Sequence, residues 1–338
     1  MALRRVARFL CWLMVVVAAS PGVAEELDPK TATLGRQFTD IFQKGSAEEV
    51  WQHMSERMQS ALGDLYHLKG FQASINSAYG PEVSVHEELT EEKDGLRTYR
   101  RRAGHENGSD LIWQWSFGQG DGIEGFYVRR VPVEADSAYL DYQTQAALRL
   151  PFAGYWKVFW GGRSVEENYH AADAGQRFAY DFVIQRAGKT HTGDGTALTD
   201  YYCWDEPILA PAEGTVVARV DGLPDQPLGE MDADRPAGNH VVLDLGNEEF
   251  IFLAHLRNGS VAVSGGQHVD EGQEIGRCGN SGNSSEPHLH VHMQTTPELG
   301  AGKGLPAQFQ NYRANGALKL RGEPVRGQTV IAVEDILK

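Results

Sequence analysis

From Leu148 onward the chain offers no sustained helical period. Short β-prone runs, "PILAPAEGTVVARV", "NHVVLDL", "EFIFLAHL" and "QEIGRCG", are broken by Gly, Pro and Asn. Runs of this length are too short for ordinary helices and must find partners sideways. The pattern predicts an all-β, Gly-rich antiparallel sheet assembly over residues 148–315. The closing stretch, 316–338, ends in "GQTVIAVEDILK" and is predicted as a C-terminal tail that adds an edge strand.

The first half has a different texture. "TLGRQFTDIFQKG" sets Leu34, Phe38, Ile41 and Phe42 on one helical stripe that stops at Gly45. "SAEEVWQHM" opens with Ser46 and Glu49 at capping-box spacing and adds Val50, Trp51 and Met54 as its apolar side. "DLYHLKGFQASINSAYG" reads as a third helix ending near Gly80 and Pro81. Four runs rich in β-branched and aromatic residues follow: "EVSVHEEL", "GLRTYRRRA", "DLIWQWSFG" and "IEGFYVRRV". Helices followed by a meander predict a small α+β accessory domain over 26–133. Its expected role is substrate or partner binding, or spacing. Residues 134–147, "VEADSAYLDYQTQAA" and its flank, read as a polar linker.

Residues 1–24 have the pattern of a secretory signal. Arg4, Arg5 and Arg8 precede an apolar run, Phe9 to Ala19, too short to span a bilayer comfortably, and cleavage is expected after Ala24. An uncleaved anchor is the alternative. No later segment is long and apolar enough to cross a membrane, so no stable insertion is expected after cleavage and the mature chain is expected in a periplasm or secreted. Two cysteines then remain, Cys203 and Cys278, and an exported chain favours their pairing as a disulfide over two buried thiols. The net charge of -15, with no basic cluster beyond Arg100–Arg102, argues against a nucleic-acid partner. The sequence sets no oligomeric state.

Against this frame one stretch stands apart: "GNSGNSSEPHLHVHMQ". His288, His290 and His292 alternate with Leu289 and Val291, so on a strand all three imidazoles share one face. Stacked imidazoles repel when protonated, and a solvent-facing strand gains nothing from them. Other histidines gather in the same half: His170, His191, His240, His255 and His268. Asp181 lies between Ala179-Tyr180 and Phe182-Val183, and a carboxylate on a half-buried strand is costly unless it is paired or holds a metal. Zinc enzymes commonly use three protein donors and leave a fourth position open. His170 or His191 could join Asp181 and His290 as the first of three. His292 lies about 6.5 Å beyond His290 along a strand and reads as a supporting or surface group. His240 reads as a loop residue or a cleft-lining one, and Asn168 and Gln176 as supporting or substrate-facing groups.

Together, "NYH…AYDFV", "PILAPAEGTVV", "FLAHL" and "GQHVDEGQEIGRCGNSGNSSEPHLHVH" resemble the lysostaphin and LytM type of zinc metallopeptidase, the M23 family. The resemblance covers about residues 165–300. It implies an exported enzyme that cuts peptides of bacterial walls, with Zn2+ held by His170, Asp181 and His290. It further implies that His288 and His255 are the two catalytic, non-ligand histidines of the site. The common family pattern places its Asp much closer to the first His, so an insertion or bulge is expected between His170 and Asp181.

Two neutral imidazoles and one carboxylate would leave zinc a net positive charge, able to acidify a water toward a pKa of about 7 and to polarise a carbonyl. A histidine titrates near neutral pH and is suited to moving the proton. His288 is expected as the base and His255 as the stabiliser of the oxyanion or the proton donor to the leaving amine. The expected substrate is a peptidoglycan stem peptide or cross-bridge. "CGNSGNSS" is expected to form a tight turn walling the cleft. The alternative from another class is a catalytically inactive relative that binds cell wall and regulates another hydrolase; the full set of five site residues favours the enzyme. An extracellular protein is a third possible target.

Overall fold

The structure, a computed structural model, describes residues 27–336. The predicted signal segment lies outside the described residues. The chain divides into two compact units with the boundary between Val131 and Pro132.

In the first unit four helices precede a four-stranded sheet. Helix α1 (Pro29–Lys44) starts with Asp28, whose carboxylate accepts from the Thr31 amide, and stops at Gly45. Helix α2 (Ala47–His53) is capped by Ser46, which accepts from the Glu49 amide. A short helix that the sequence reading did not separate, α3 (Glu56–Leu62), is capped by Ser55, and α4 (Leu65–Tyr79) by Asp64. Strands β1 (Glu82–Lys93), β2 (Leu96–His105), β3 (Asp110–Phe117) and β4 (Ile123–Arg130) then pair in order as an antiparallel meander. The alternation of β3 explains the packing. Leu111, Trp113, Trp115 and Phe117 are fully buried with Phe38 and Phe42 of α1. The arginine triplet is split by the same period: Arg100 and Arg102 are exposed, whereas Arg101 is turned inward onto Glu82.

The second unit is built on one large antiparallel sheet. Its strands are β5 (Trp156–Trp160), β6 (Tyr180–Val183), β8 (Gly214–Val220), β9 (Asn239–Asp244), β10 (Phe250–Leu256), β11 (His268–Val269), β13 (Leu289–Gln294), β14 (Gly304–Leu305), β15 (Phe309–Ala314), β16 (Ala317–Gly322) and β17 (Thr329–Ala332). They run in the order β11-β8-β9-β10-β13-β6-β5-β17-β15-β16, with β14 on β13. A separate pair joins β7 (Pro207–Leu209) to β12 (Glu274–Arg277). Helix α5 (Val333–Ile336) closes the described chain. Val241, Leu243, Ile251, Leu253, Leu289 and Val291 lie in one core beneath β9, β10 and β13 and are fully buried.

Three expectations meet a different structure. The stretch 134–147, expected as a linker, is anchored in the second unit. Glu249, itself fully buried, accepts from the Gln145 and Ala146 amides at 2.6 and 2.8 Å, and the Thr144 hydroxyl donates to the Pro306 carbonyl at 2.6 Å. The stretch 316–338 supplies an edge strand in β16, but β17 is inserted between β5 and β15, because Val330, Ile331 and Ala332 are apolar and buried. The expected disulfide is not formed. Cys203 and Cys278 are buried free thiols, and Cys203 Sγ donates to the Pro287 carbonyl at 2.9 Å. Among the described residues no helix is long and apolar enough to cross a membrane.

Candidate metal centre

Strand β13 sits in the middle of the sheet, with β10 on one side and β6 on the other. His290 and His292 lie on its polar face, and His288 immediately precedes it, as the period-2 pattern required. That face is not a solvent face, however: His290 is 5% and His292 2% exposed. Antiparallel pairing sets Asp181 of β6 directly opposite His290, and Ala254 of β10 opposite it on the other side. The two residues are distant in sequence and neighbours by register alone.

His170 arrives from a short 3-10 turn, Tyr169–Ala172. Asn168 holds that turn. It is fully buried, its amide donates to the Gly162 and Ala179 carbonyls at 3.1 and 2.9 Å, and its oxygen accepts from the His170 amide. Residues 173–179 span the interval between that turn and β6. In the result His170 Nε2 is 3.1 Å from Asp181 Oδ2 and His290 Nδ1 is 2.8 Å from Asp181 Oδ1. One donor atom from each of His170, Asp181 and His290 lies within 4.8 Å of the other two. His191 is not part of this group; its Nδ1 is 3.2 Å from the Thr192 carbonyl in a loop. The structure therefore brings together His170, not His191, with Asp181 and His290.

The two remaining histidines of the predicted site flank this triad. His288 Nε2 is 3.7 Å from Asp181 Oδ1, and the His255 and His288 rings are 4.7 Å apart between centroids. Each ring is held through Nδ1 by a backbone carbonyl. His255 Nδ1 is 2.8 Å from the Ser281 carbonyl and His288 Nδ1 is 2.9 Å from the Glu286 carbonyl. A carbonyl only accepts, so both rings carry hydrogen on Nδ1 and, when neutral, offer a lone pair at Nε2. Ser281 of the "CGNSGNSS" turn thus orients His255, and Glu286, directly after the turn, orients His288. The turn is itself braced by close backbone approach. Gly238 has φ +58°, and a Cβ there would fall 2.3 Å from the Ser281 carbonyl oxygen.

Burial would raise the Asp181 carboxyl, but the facing His170 and His288, with hydrogen bonds from His170 and His290, hold it well below its ordinary value. Burial, then the neighbouring His288 and His290, holds His255 well below the ordinary imidazole value. Burial also lowers His290. Two imidazoles and a carboxylate, all buried and convergent, match the nitrogen and oxygen donors that zinc takes, and three donors leave a position open. Of the other histidines, His268 is exposed, and His240 is hydrogen-bonded at 2.8 Å to the Gly238 carbonyl and stacked on Phe252.

Residues 195–299 match peptidase family M23. The matched span contains His255, His288 and His290 but begins after His170 and Asp181, which β6 and the turn before it deliver from upstream. Peptidoglycan DD-endopeptidase ShyA of Vibrio cholerae is 38% identical over 90 residues, 25% of this chain and 20% of that protein. The chain thus spans about a fifth of that relative's length. Two solved structures share lower identity. The catalytic domain of lysostaphin from Staphylococcus simulans is 19% identical, covering 44% of this chain and 86% of its own, with a TM-score of 0.26. A zinc-containing peptidase from Vibrio cholerae is 14% identical, covering 64% of this chain and 57% of its own, with a TM-score of 0.26.

Proposed function

We propose that this chain is an exported zinc-dependent endopeptidase that hydrolyses peptide bonds in peptidoglycan stem peptides or cross-bridges. The observation that carries the reading is the convergence of His170, Asp181 and His290 on one point, with two further imidazoles beside it whose Nε2 atoms are bare. The match of residues 195–299 to peptidase family M23 and the peptidoglycan endopeptidase activity of the Vibrio cholerae relative support the substrate class.

In this reading His170, Asp181 and His290 hold the zinc. When bound, zinc supplies a Lewis acid that polarises a scissile carbonyl and makes water acidic enough to ionise near neutral pH. His288 takes the proton of the attacking water on its bare Nε2, while the Glu286 carbonyl holds Nδ1 and so fixes the ring. His255, held at Nδ1 by the Ser281 carbonyl, would face the developing oxyanion or protonate the leaving amine only after its Nε2 has taken up a proton, from solvent or from His288. Neither ring has to rotate during the reaction, because each is anchored on the atom that does not react.

The test is incubation of the zinc-loaded chain with purified peptidoglycan, products being read by mass spectrometry. The expected result is peptide cleavage by the wild type. His288→Ala should keep its zinc and lose about 10²–10⁴-fold in rate, the span of a removed general base. Equal digestion by both proteins would overturn the assignment of the base, and zinc binding without any cleavage would favour an inactive wall-binding regulator.

A further inference from the structure

The third histidine of "HLHVH" has no part in the triad, yet it is more buried than any of its three members, at 2% exposed. His292 Nδ1 is 2.9 Å from His290 Nε2, the ring atom that faces away from Asp181. Its ring stacks on Phe252 of β10 with centroids 4.4 Å apart and planes 13° from parallel. The next residue on the same strand face is Gln294, fully buried. The Gln294 amide nitrogen donates to the Thr296 and Glu298 carbonyls, both at 2.8 Å. Gln294 Oε1 and His292 Nε2 have no hydrogen-bond partner, so the His292 ring is held by its polar neighbours through Nδ1 alone.

The order of donors follows from the proposed zinc site. A metal bound through His290 Nδ1 takes that atom's lone pair, so the hydrogen of the neutral ring is on Nε2. His290 Nε2 then donates to His292 Nδ1, 2.9 Å away.

We infer that His292 is a positioning residue. It accepts from His290 Nε2 and so holds His290 in the tautomer and ring orientation that can bind a metal through Nδ1. The inference rests on the reading of His170, Asp181 and His290 as a zinc site and adds the support that reading lacks on the side away from the metal. Hydrogen bonds of this kind to a ligand's second nitrogen typically change metal affinity 10–100-fold.

The test uses the full chain and three proteins: wild type, His292→Phe, and His292→Asn. Phe keeps the volume and the stack on Phe252 but cannot accept; Asn places an oxygen near the former Nδ1. Zinc affinity is read by competition with a chromophoric chelator, and the thermal midpoint of the metal-free protein is read alongside. The expected result is a roughly 10–100-fold loss of affinity in His292→Phe without a fall in the metal-free midpoint. His292→Asn should regain most of the affinity. Unchanged affinity in His292→Phe, or an Asn variant as weak as Phe, would overturn the inference. A second readout is the tautomer: long-range nitrogen–proton spectra of the zinc-loaded wild type should show the His290 hydrogen on Nε2, and a hydrogen on His292 Nδ1 would overturn the inference. A wild type that binds no zinc would instead sink the reading of the triad, whereas zinc binding that His292→Phe leaves unchanged would sink the positioning role alone.

Discussion

His255 shows what a single position is asked to hold. It lies in β10 with φ +61°, a conformation that a side-chain-bearing residue in a strand rarely adopts, and the pairing of β10 with β9 slips between Leu253 and Leu256 to accommodate it. Such backbone costs about 1–3 kcal/mol and persists only where the surroundings enforce it. The enforcement is visible: the His255 amide donates to the Ala237 carbonyl and its ring to the Ser281 carbonyl. The bulge turns the imidazole toward His288, which a regular strand position would not do. This yields a comparison in which the lost side chain cancels. His255→Gly should be more stable than His255→Ala by about 1 kcal/mol, the reverse of the order in an ordinary strand, because only Gly occupies positive φ freely. Urea unfolding of the metal-free variants measures it; an Ala variant equal to or more stable than Gly would show the strand to be unstrained there. "FLAHL" carried no sign of this, since nothing in its composition distinguishes a bulge from a regular strand.

At the scale of elements, what was readable followed from local chemistry. Ser46 at capping-box spacing caps α2, Gly45 and Gly80 end α1 and α4, and the β-prone run "DLIWQWSFG" forms β3. The period of β13 placed three imidazoles together. What was not readable depended on pairing between distant strands. Nothing local tells that β6 lies beside β13 in the register that opposes Asp181 to His290, or that β17 enters the sheet interior rather than its edge. For the same reason the burial of His292 was missed: its cover, Phe252, belongs to another strand. The turn before β9 and the "GNSGN" turn are likewise fitted to each other, with Gly238 and Gly282 packed backbone to backbone. Gly238→Ala puts a methyl against the Ser281 carbonyl at positive φ, and that carbonyl also holds His255. The expected outcome is a loss of more than about 1 kcal/mol in unfolding free energy. Cleavage should fall further than zinc affinity, because the Ser281 carbonyl fixes His255 and not the triad. Equal losses in both, read by peptidoglycan digestion and chelator competition, would mean that the turn supports the whole site alike.

At the scale of the molecule, two separate hydrophobic cores lie on either side of the boundary at Val131 and Pro132, one ending with Val128 and the other beginning with Leu148. A chain starting at Pro132 contains every residue of the triad and the segment that anchors Glu249. It should fold cooperatively and bind zinc as tightly as the full chain; circular dichroism with chelator competition checks this, and an unfolded or zinc-blind fragment would show that the first unit is needed to complete the second. The two halves of the triad come from positions 109 residues apart, Asp181 and His290, and meet only when β6 docks on β13. Contacts of such long separation form late, after the chain has met the entropy of closing the loop between them. Until then the only preassembled donors are His288, His290 and His292, three imidazoles on one short segment without a carboxylate. A zinc ion captured at that stage would be held in a non-native grip and could delay the docking of β6. Faithful loading therefore requires the apoprotein to finish its sheet first and to receive its ion last.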